Sequence, residues 1–225
     1  MQEVQGKARH GGSKHEAVFR AAKAVFIERG YDAASMDEIA ALAGTTKATV
    51  YAHAGSKAAL FRSTLREAVE LSAAKIVPPD AALEPRTAIE LFLARFVEIA
   101  CWHGSVGLQR TALAALDRFP EHGAMIMEQV VDKATAALAT YLEQCGIRQA
   151  AEMAAVLIEA ATGRRRFATL MGMAAPLPAP PVAGRIQEGA MDEAIRFAVS
   201  TFLLGNAPRL SPDRPGPLAS PAPFA

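Results

Sequence analysis

The stretch that decides the fold is Gly30–Lys57, which reads GYDAASMDEIAALAGTTKATVYAHAGSK. Ser35 and Glu38 have the spacing of a capping box, and an apolar stripe after them stops at Gly44, which predicts one short helix. Thr46 can cap a second short helix directly after a tight turn. Two short helices joined in this way predict a helix-turn-helix, whose second helix enters the major groove of DNA.

The predicted second helix begins with side chains that are small or cationic. Backbone amides, hydroxyl groups and an ammonium can therefore all approach phosphates and base edges there, whereas bulky residues would block entry. Hydroxyl, imidazole and ammonium donors follow and can clamp the DNA backbone. The predicted DNA-binding residues are Ser35, Met36, Thr45, Thr46, Lys47, Ala48, Thr49, Tyr51, His53 and Lys57.

Helical patterns continue on both sides of this stretch. A capping box at Ser13 and Glu16, followed by apolar residues at helical spacing, predicts a first helix over 13–29, and Ser56 can cap a fourth helix before Pro78. Five more helices are predicted over 85–102, 105–117, 120–145, 149–173 and 185–205, with a stiff Pro-rich connector at 176–181. No segment alternates like a strand. The predicted fold class is all-α, with a three-helix N-terminal domain followed by a larger helical domain.

Composition restricts the class of protein. Of the 225 residues, 51% are apolar and 21% charged, which predicts a folded chain. Two cysteines, Cys101 and Cys145, are too few for a disulfide framework and wrongly spaced for a Cys-pair zinc site, so a reducing cytosol is expected. The longest uncharged stretch, 167–184, contains four prolines that would break a membrane-spanning helix, and no signal peptide is recognised. We therefore expect a cytoplasmic protein that does not enter a membrane.

Charge is unevenly distributed along the chain. Residues 1–66 hold 10 basic and 6 acidic groups, a balance of +4, whereas the other 159 residues hold 14 and 17, a balance of −3. A polyanionic partner is therefore plausible only for the first part. The basic arm at 1–12 either follows the DNA backbone or minor groove or is simply a soluble end. The tail at 206–225 contains six prolines and is predicted to be disordered.

With these helices and motifs the sequence resembles the TetR family of transcriptional regulators. The resemblance covers Phe19 to Val69 and rests on the motifs Gly30-Tyr31, Glu38-Ile39-Ala40, Thr46-Lys47, Thr49-Val50-Tyr51 and Ser56-Lys57. It implies three N-terminal helices for DNA and a larger helical domain for dimerisation and ligand binding. The chain departs from the family pattern at Ala54, where an aromatic residue is usual, and Phe61 or Phe19 could fill the missing volume. Residues 108–122, with the Arg-Phe-Pro turn at 118–120, also look like the C-terminal domain of the AefR-like branch.

The resemblance implies a domain order of arm (1–12), helix-turn-helix domain (13–57), ligand and dimerisation domain (58–205, joined through a helix at 58–75) and tail (206–225). In the family the last two helices form the dimer interface, here 149–173 and 185–205. Two recognition helices related by a two-fold axis would then read a palindromic operator. Apolar faces support this interface: Met153, Val156, Leu157, Ala160, Phe167, Leu170 and Met171 on the first helix, and Met191, Ile195, Val199, Phe202 and Leu203 on the second.

The expected function is a dimeric regulator, most simply a repressor, that a small apolar or amphipathic effector releases from its DNA operator. Bulky side chains in a helical bundle can line a cavity for such an effector. The candidates are Phe96, Trp102, His103, Gln109, Met125, Met127 and Phe167. Two alternatives remain: a regulator whose C-terminal domain only dimerises, and a helical carrier or enzyme without operator binding.

The only hint of catalysis or metal binding is Cys101-Trp102-His103. Residues two apart on one helix point to different sides, so neither a Cys-His dyad nor a shared metal is expected. Cys101 is predicted to be a small buried residue. No enzyme activity, metal or cofactor is expected. The run Arg164-Arg165-Arg166 must leave at least one guanidinium in solvent, and another could reach an acidic ligand or an acid such as Glu159 or Glu193 across a subunit interface.

Overall fold

The computed structural model describes residues 14–206, and within them every named element is helical, as the sequence predicts. The predicted capping residue Ser13, the basic arm and residues 207–225 of the Pro-rich tail lie outside the described residues. The helices are α1 (Lys14–Ala33), α2 (Met36–Leu42), α3 (Lys47–Ala54), α4 (Lys57–Ala73), α5 (Pro85–Cys101), α6 (His103–Ala114), α7 (Glu121–Ile126), α8 (Lys133–Gln144), α9 (Ala150–Ile158), α10 (Arg164–Leu170) and α11 (Glu193–Asn206). π-helical segments join α7 to α8 (Met127–Asp132) and α9 to α10 (Glu159–Gly163).

The chain divides into two compact units between Leu65 and Arg66, within α4. The sequence places this boundary at 57/58, with a helix at 58–75 connecting the domains. The difference is that the first two turns of α4 belong to the N-terminal unit, where Leu60, Phe61 and Leu65 are buried.

The N-terminal unit is a small helical domain with an aromatic core. Apolar residues at helical spacing bury one side of α1, including Val18, Ala22 and Phe26. The ring centroids of Phe26 and Phe61 lie 4.9 Å apart, as do those of Tyr31 and Phe61. Ala54, where the family pattern expects an aromatic residue, is half-buried, and Phe19 and Phe61 are both buried in the same unit.

The C-terminal unit is built around α5, which is buried on most of its surface. Ile89, Leu93 and Val97 on this helix have no exposed area, and residues of α8, α9 and α11 complete the core around it. The predicted helices over 120–145 and 149–173 are present, but each contains a π-helical segment, and the second ends at Leu170.

The segment between α10 and α11 differs most from the prediction. The last helix starts at Glu193 rather than at 185, and Gly189 within the predicted helix has a φ of +81°, which regular α-helical backbone does not adopt. The Pro-rich connector packs against the core: Leu177 is buried, its amide donates to the carbonyl of Cys101 at 2.9 Å, and its carbonyl accepts from the amide of His103 at 2.8 Å.

A buried carboxylate fixes the irregular segment that follows the connector. Glu98 of α5 has no exposed area, pairs with the guanidinium of Arg95, and accepts the backbone N–H of Gln187 at 2.6 Å. Arg95 in turn donates to the carbonyls of Val182 and Arg185, at 2.8 and 2.7 Å. Charge pairing and backbone hydrogen bonds therefore hold residues 182–187, of which the sequence predicts 185–187 to be helical.

Candidate nucleic-acid interface

The turn between α2 and α3 has the geometry of a helix-turn-helix. Gly44 has a φ of +65°, and a Cβ added there would meet nothing within 4 Å, so glycine is favoured for its backbone conformation rather than for space. The amide of Thr45 donates to the carbonyl of Ala40 at 3.0 Å, which closes the turn. Because the turn between Leu42 and Lys47 is short and hydrogen-bonded, it fixes the position of α3 relative to α2.

Side-chain caps start both helices at the predicted residues. Ser35 Oγ accepts from the amides of Asp37 and Glu38, and Thr46 Oγ1 accepts from the amide of Thr49 at 3.2 Å. The Glu38 carboxylate accepts from Arg29 Nε at 3.3 Å. Ser35 and Thr46 therefore stabilise the starts of α2 and α3 independently of any contact with DNA.

One face of α3 is buried and the other is open to solvent. Val50 has no exposed area, while Tyr51 is 40% exposed. Five of the predicted DNA-binding residues are exposed: Thr46, Lys47, Ala48, Tyr51 and His53. Four are half-buried: Ser35, Thr45, Thr49 and Lys57. The structure therefore brings nine of the predicted residues to the surface formed by the turn, α3 and the adjoining helix starts.

Met36 is the exception among the predicted DNA-binding residues, because the structure buries it. Only 4% of its area is exposed, because the first turn of α2 directs this side chain into the core of the N-terminal unit. Ser35 next to it remains accessible. Met36 thus supports the position of α2 and cannot itself contact a base or phosphate.

The two lysines of this surface have partners within the protein. Lys47 Nζ donates to Asp37 Oδ2 at 2.7 Å, and this hydrogen bond raises the pKa of Lys47. Lys57 Nζ donates to the carbonyl of Asp32 at 2.8 Å and lies 4.8 Å from the centre of the Tyr31 ring. Neither Asp37 nor Asp32 is among the DNA-binding residues predicted from the sequence. The signal that could identify Asp37 is an acidic residue in the first turn of α2.

The predicted effector-binding residues of the C-terminal unit differ widely in exposure. Phe96 is buried, and the Arg166 guanidinium lies 5.3 Å from the centre of its ring. The Gln109 amide donates to the carbonyl of Ala100 at 2.8 Å. Trp102 and Met125 are half-buried against the core, whereas His103, Met127 and Phe167 are exposed. Because three of the seven are exposed, the set does not line one enclosed cavity of the protomer, and its role stays a prediction.

The Cys101-Trp102-His103 motif spans a helix junction and not one helix, since α5 ends at Cys101 and α6 begins at His103. Cys101 is 1% exposed, as predicted, and burial raises the pKa of its thiol. His103 faces solvent. The motif therefore does not bring an accessible thiol beside an imidazole.

The arginine run divides between solvent and partners in the same chain. Arg164 is exposed, which confirms that one guanidinium is solvated. Arg166 pairs with Glu159 at 2.7 Å within the protomer, and Arg165 donates to the carbonyl of Gly189 at 3.1 Å. The sequence leaves open a pairing with Glu159 across a subunit interface. In the structure, Arg166 pairs with the Glu159 that lies seven residues before it in the same chain.

Comparison with known proteins agrees with this geometry. Residues 18–64 match the model of bacterial regulatory proteins of the tetR family, and residues 87–204 match that of the AefR-like transcriptional repressor C-terminal domain. The HTH-type transcriptional activator FasR of Mycolicibacterium smegmatis is 48% identical over 50 residues, which are 22% of this chain and 23% of that protein. YdeS, an HTH-type transcriptional regulator of Bacillus subtilis, is 40% identical over 60 residues, 27% of this chain and 30% of that protein. The chain thus spans less than a third of either curated relative.

Solved structures share the whole fold. A TetR-family regulator from Mesorhizobium loti superposes with a TM-score of 0.69 at 20% identity, covering 85% of this chain and 96% of that one. The flavonoid-responsive regulator FrrA superposes with a TM-score of 0.65 at 25% identity, covering 87% and 97%. The fold and the site define a transcriptional regulator that carries a helix-turn-helix DNA-binding domain. The chain belongs to the TetR family.

No helix within residues 14–206 is both long and apolar enough to cross a bilayer.

Proposed function

We propose that this protein is a dimeric repressor that binds a palindromic operator through α3 and leaves it when a small apolar or amphipathic effector binds. The observation that carries the proposal is the solvent-facing side of α3, where Lys47, Ala48 and Tyr51 are exposed while Val50 anchors the opposite side. A helix seated on its domain in this way can enter a major groove without rearrangement. Repression is favoured over activation by the AefR-like repressor match over residues 87–204, because the similarity to the activator FasR covers only 22% of this chain. Action on an operator also implies the compartment of the bacterial chromosome, the cytoplasm.

Substitution of the exposed residues of α3 tests operator binding. We expect Lys47→Ala combined with Tyr51→Ala to abolish specific binding, because two donors on the exposed side of α3 are lost while neither side chain is in the core. The measurement is fluorescence anisotropy with a duplex from the gene's own upstream region. Lys75→Ala, which removes one exposed cation from the C-terminal unit, should bind like the wild type. Specific binding that persists in the double variant would contradict recognition through the exposed side of α3. A wild-type protein without specific binding would favour a carrier or enzyme without operator binding.

Exposed apolar side chains on the last helices support the proposed dimer. Phe197 and Leu204 of α11 are 75% and 82% exposed, and Phe167 and Met171 at the end of α10 are 64% and 63% exposed. Large apolar side chains that stay in solvent in the protomer support an interaction surface on these elements. The predicted faces need correction: Leu157, Ile195 and Val199 are buried inside the protomer, and Phe197 and Leu204 point outward instead.

We expect Phe197→Asp to convert the dimer into a monomer. A carboxylate at this position would be desolvated in the interface of both subunits, whereas in the monomer it stays in water. Sedimentation velocity at several protein concentrations measures the shift. Leu71→Asp, which introduces the same charge at a 53% exposed residue of α4, should remain dimeric. If Phe197→Asp sediments like the wild type, α11 does not form the interface.

Release by an effector requires that the effector bind better to a conformation whose two recognition helices no longer fit adjacent grooves. The similarity to the flavonoid-responsive regulator supports a planar aromatic molecule as effector. The π-helical segment Glu159–Gly163 also supports an effector site near Phe96, Trp102 and Phe167, since such segments recur at functional sites. Addition of a panel of flavonoids to the protein–DNA complex tests this, with anisotropy as the readout.

A second candidate is a regulator whose C-terminal unit only dimerises. The observation that favours it is the state of two candidate effector residues: Phe96 is 1% exposed beneath Arg166, and the Gln109 amide is already bonded to Ala100. Both side chains therefore already have their contacts within the protein and need no effector to complete them. A complex that no member of the panel releases supports this candidate.

A further inference from the structure

An ion pair links the two helices of the helix-turn-helix. Lys47, the first residue of α3, donates from Nζ to Oδ2 of Asp37, which lies in the first turn of α2, at 2.7 Å. Both side chains are on the surface, with 51% of Lys47 and 68% of Asp37 exposed. A cation of the predicted DNA-binding surface is therefore already engaged by a carboxylate of the same chain.

This pair is not needed to hold the domain together. Exposed ion pairs contribute little to stability, because solvent screens them and two long side chains lose freedom. The turn and both helix starts have their own hydrogen bonds, from Ser35, Thr46 and the amide of Thr45. The pair can thus open without loss of the fold, and opening is what a phosphate would require.

Asp37 lies in a capped turn next to Lys47, which makes it a competitor for that ammonium. Its backbone amide donates to Ser35 Oγ at 3.2 Å, which fixes the first turn of α2, and from there its carboxylate reaches Lys47 Nζ at 2.7 Å. The next acid, Glu38, is paired with Arg29 at 3.3 Å and does not compete for Lys47. A phosphate that approaches Lys47 therefore meets one negative charge from Asp37 at hydrogen-bond distance from the same ammonium.

We propose that Asp37 is a specificity-determining residue: it withholds Lys47 from phosphates of non-specific DNA and gives it up only when α3 is seated in its operator. The proposal rests on the proposed operator binding. Non-specific affinity comes almost entirely from phosphate contacts, so a neutralised lysine removes one such contact per subunit. On the operator, base contacts of α3 supply the free energy for Lys47 to exchange its carboxylate for a phosphate. The pair thus weakens non-specific binding more than specific binding.

Asp37→Asn tests the proposal, because asparagine keeps the size of the side chain and removes its charge. The probes are a labelled mixed-sequence duplex and a labelled duplex from the upstream region, each titrated at several salt concentrations. Two freed lysines per dimer should tighten binding to the mixed-sequence duplex about tenfold and steepen its log–log salt slope by about 1.8. Binding to the upstream duplex should tighten less, so the ratio of the two affinities should fall.

Two further proteins control for net charge and for the route of the effect. Glu70→Gln makes the same change in net charge at an exposed residue of α4 and should leave both duplexes near wild-type affinity. In a Lys47→Gln background, Asp37→Asn should have no further effect if it acts through the lysine. Circular dichroism confirms the fold of each variant, and Asp37→Ser provides a second test of the same charge.

Each other outcome is decisive. An Asp37→Asn protein that behaves like Glu70→Gln, that keeps its effect without Lys47, or that binds both duplexes more weakly overturns the proposal; the last result would make Asp37 an orienting residue. A wild-type protein that does not prefer the upstream duplex in any salt overturns the proposed operator binding instead. The two failures are therefore distinguishable.

Discussion

Replacing Ala48 by Glu is expected to weaken operator binding at least about 100-fold, or about 2.7 kcal/mol, while leaving the protein folded. Ala48 is exposed and is the second residue of α3, on the side that faces away from Val50. A longer, negatively charged side chain there would meet base edges or phosphates in both half-sites of a dimer. Each disrupted contact costs about 1–3 kcal/mol, and the two subunits double the effect. Stability should hold, because an acidic residue in the first turn favours the helix dipole.

Anisotropy titration of the upstream duplex measures this loss, and thermal unfolding followed by circular dichroism measures the fold. Ala136→Glu is the matched control, since Ala136 is also an exposed alanine within a helix but lies in the C-terminal unit. Near-wild-type affinity of Ala48→Glu would mean that the first turn of α3 does not enter the groove.

Glu98→Ala is expected to lower the free energy of unfolding by about 3–5 kcal/mol, the usual cost of removing one member of a buried ion pair. Glu98 has no exposed area, and its removal leaves the Arg95 guanidinium without its counter-ion and the Gln187 N–H without its acceptor. The segment 182–187 then loses its anchor on α5. Glu98→Gln should cost less, because an amide oxygen can still accept from Gln187.

Urea unfolding at one fixed protein concentration measures these changes, with fluorescence of Trp102, the single tryptophan, as the probe. Glu90→Ala provides the control on the same helix, because Glu90 pairs with an Arg86 side chain that is 44% exposed and should contribute about 1 kcal/mol or less. Equal losses in the two variants would show that Glu98 does not anchor the segment.

Local signals made the N-terminal unit predictable. Ser35, Thr46 and Ser56 cap their helices as predicted, because a capping hydroxyl acts within three residues of its own position. The start and end of α2 and α3 follow from these caps and from Gly44. These signals could not show that Met36 is buried, because a cap fixes where a helix starts but not which of its side chains face the core.

Contacts between distant residues could not be predicted in this way. The start of α11 depends on Glu98 and Arg95, which hold a segment almost 90 residues later. Similarly, Lys47 pairs with Asp37 because of how α2 and α3 are oriented. The sequence shows both charges but not this orientation. On α11, periodicity identifies apolar residues but not which of them face the protomer core, so Ile195 and Phe197 could not be separated.

Titration of the purified protein against its upstream duplex, beside a scrambled duplex of equal length and at several salt concentrations, tests the central claim most directly. The account predicts tight binding that favours the native duplex and weakens steeply as salt rises. Equal and weak binding to both duplexes would contradict operator recognition by α3.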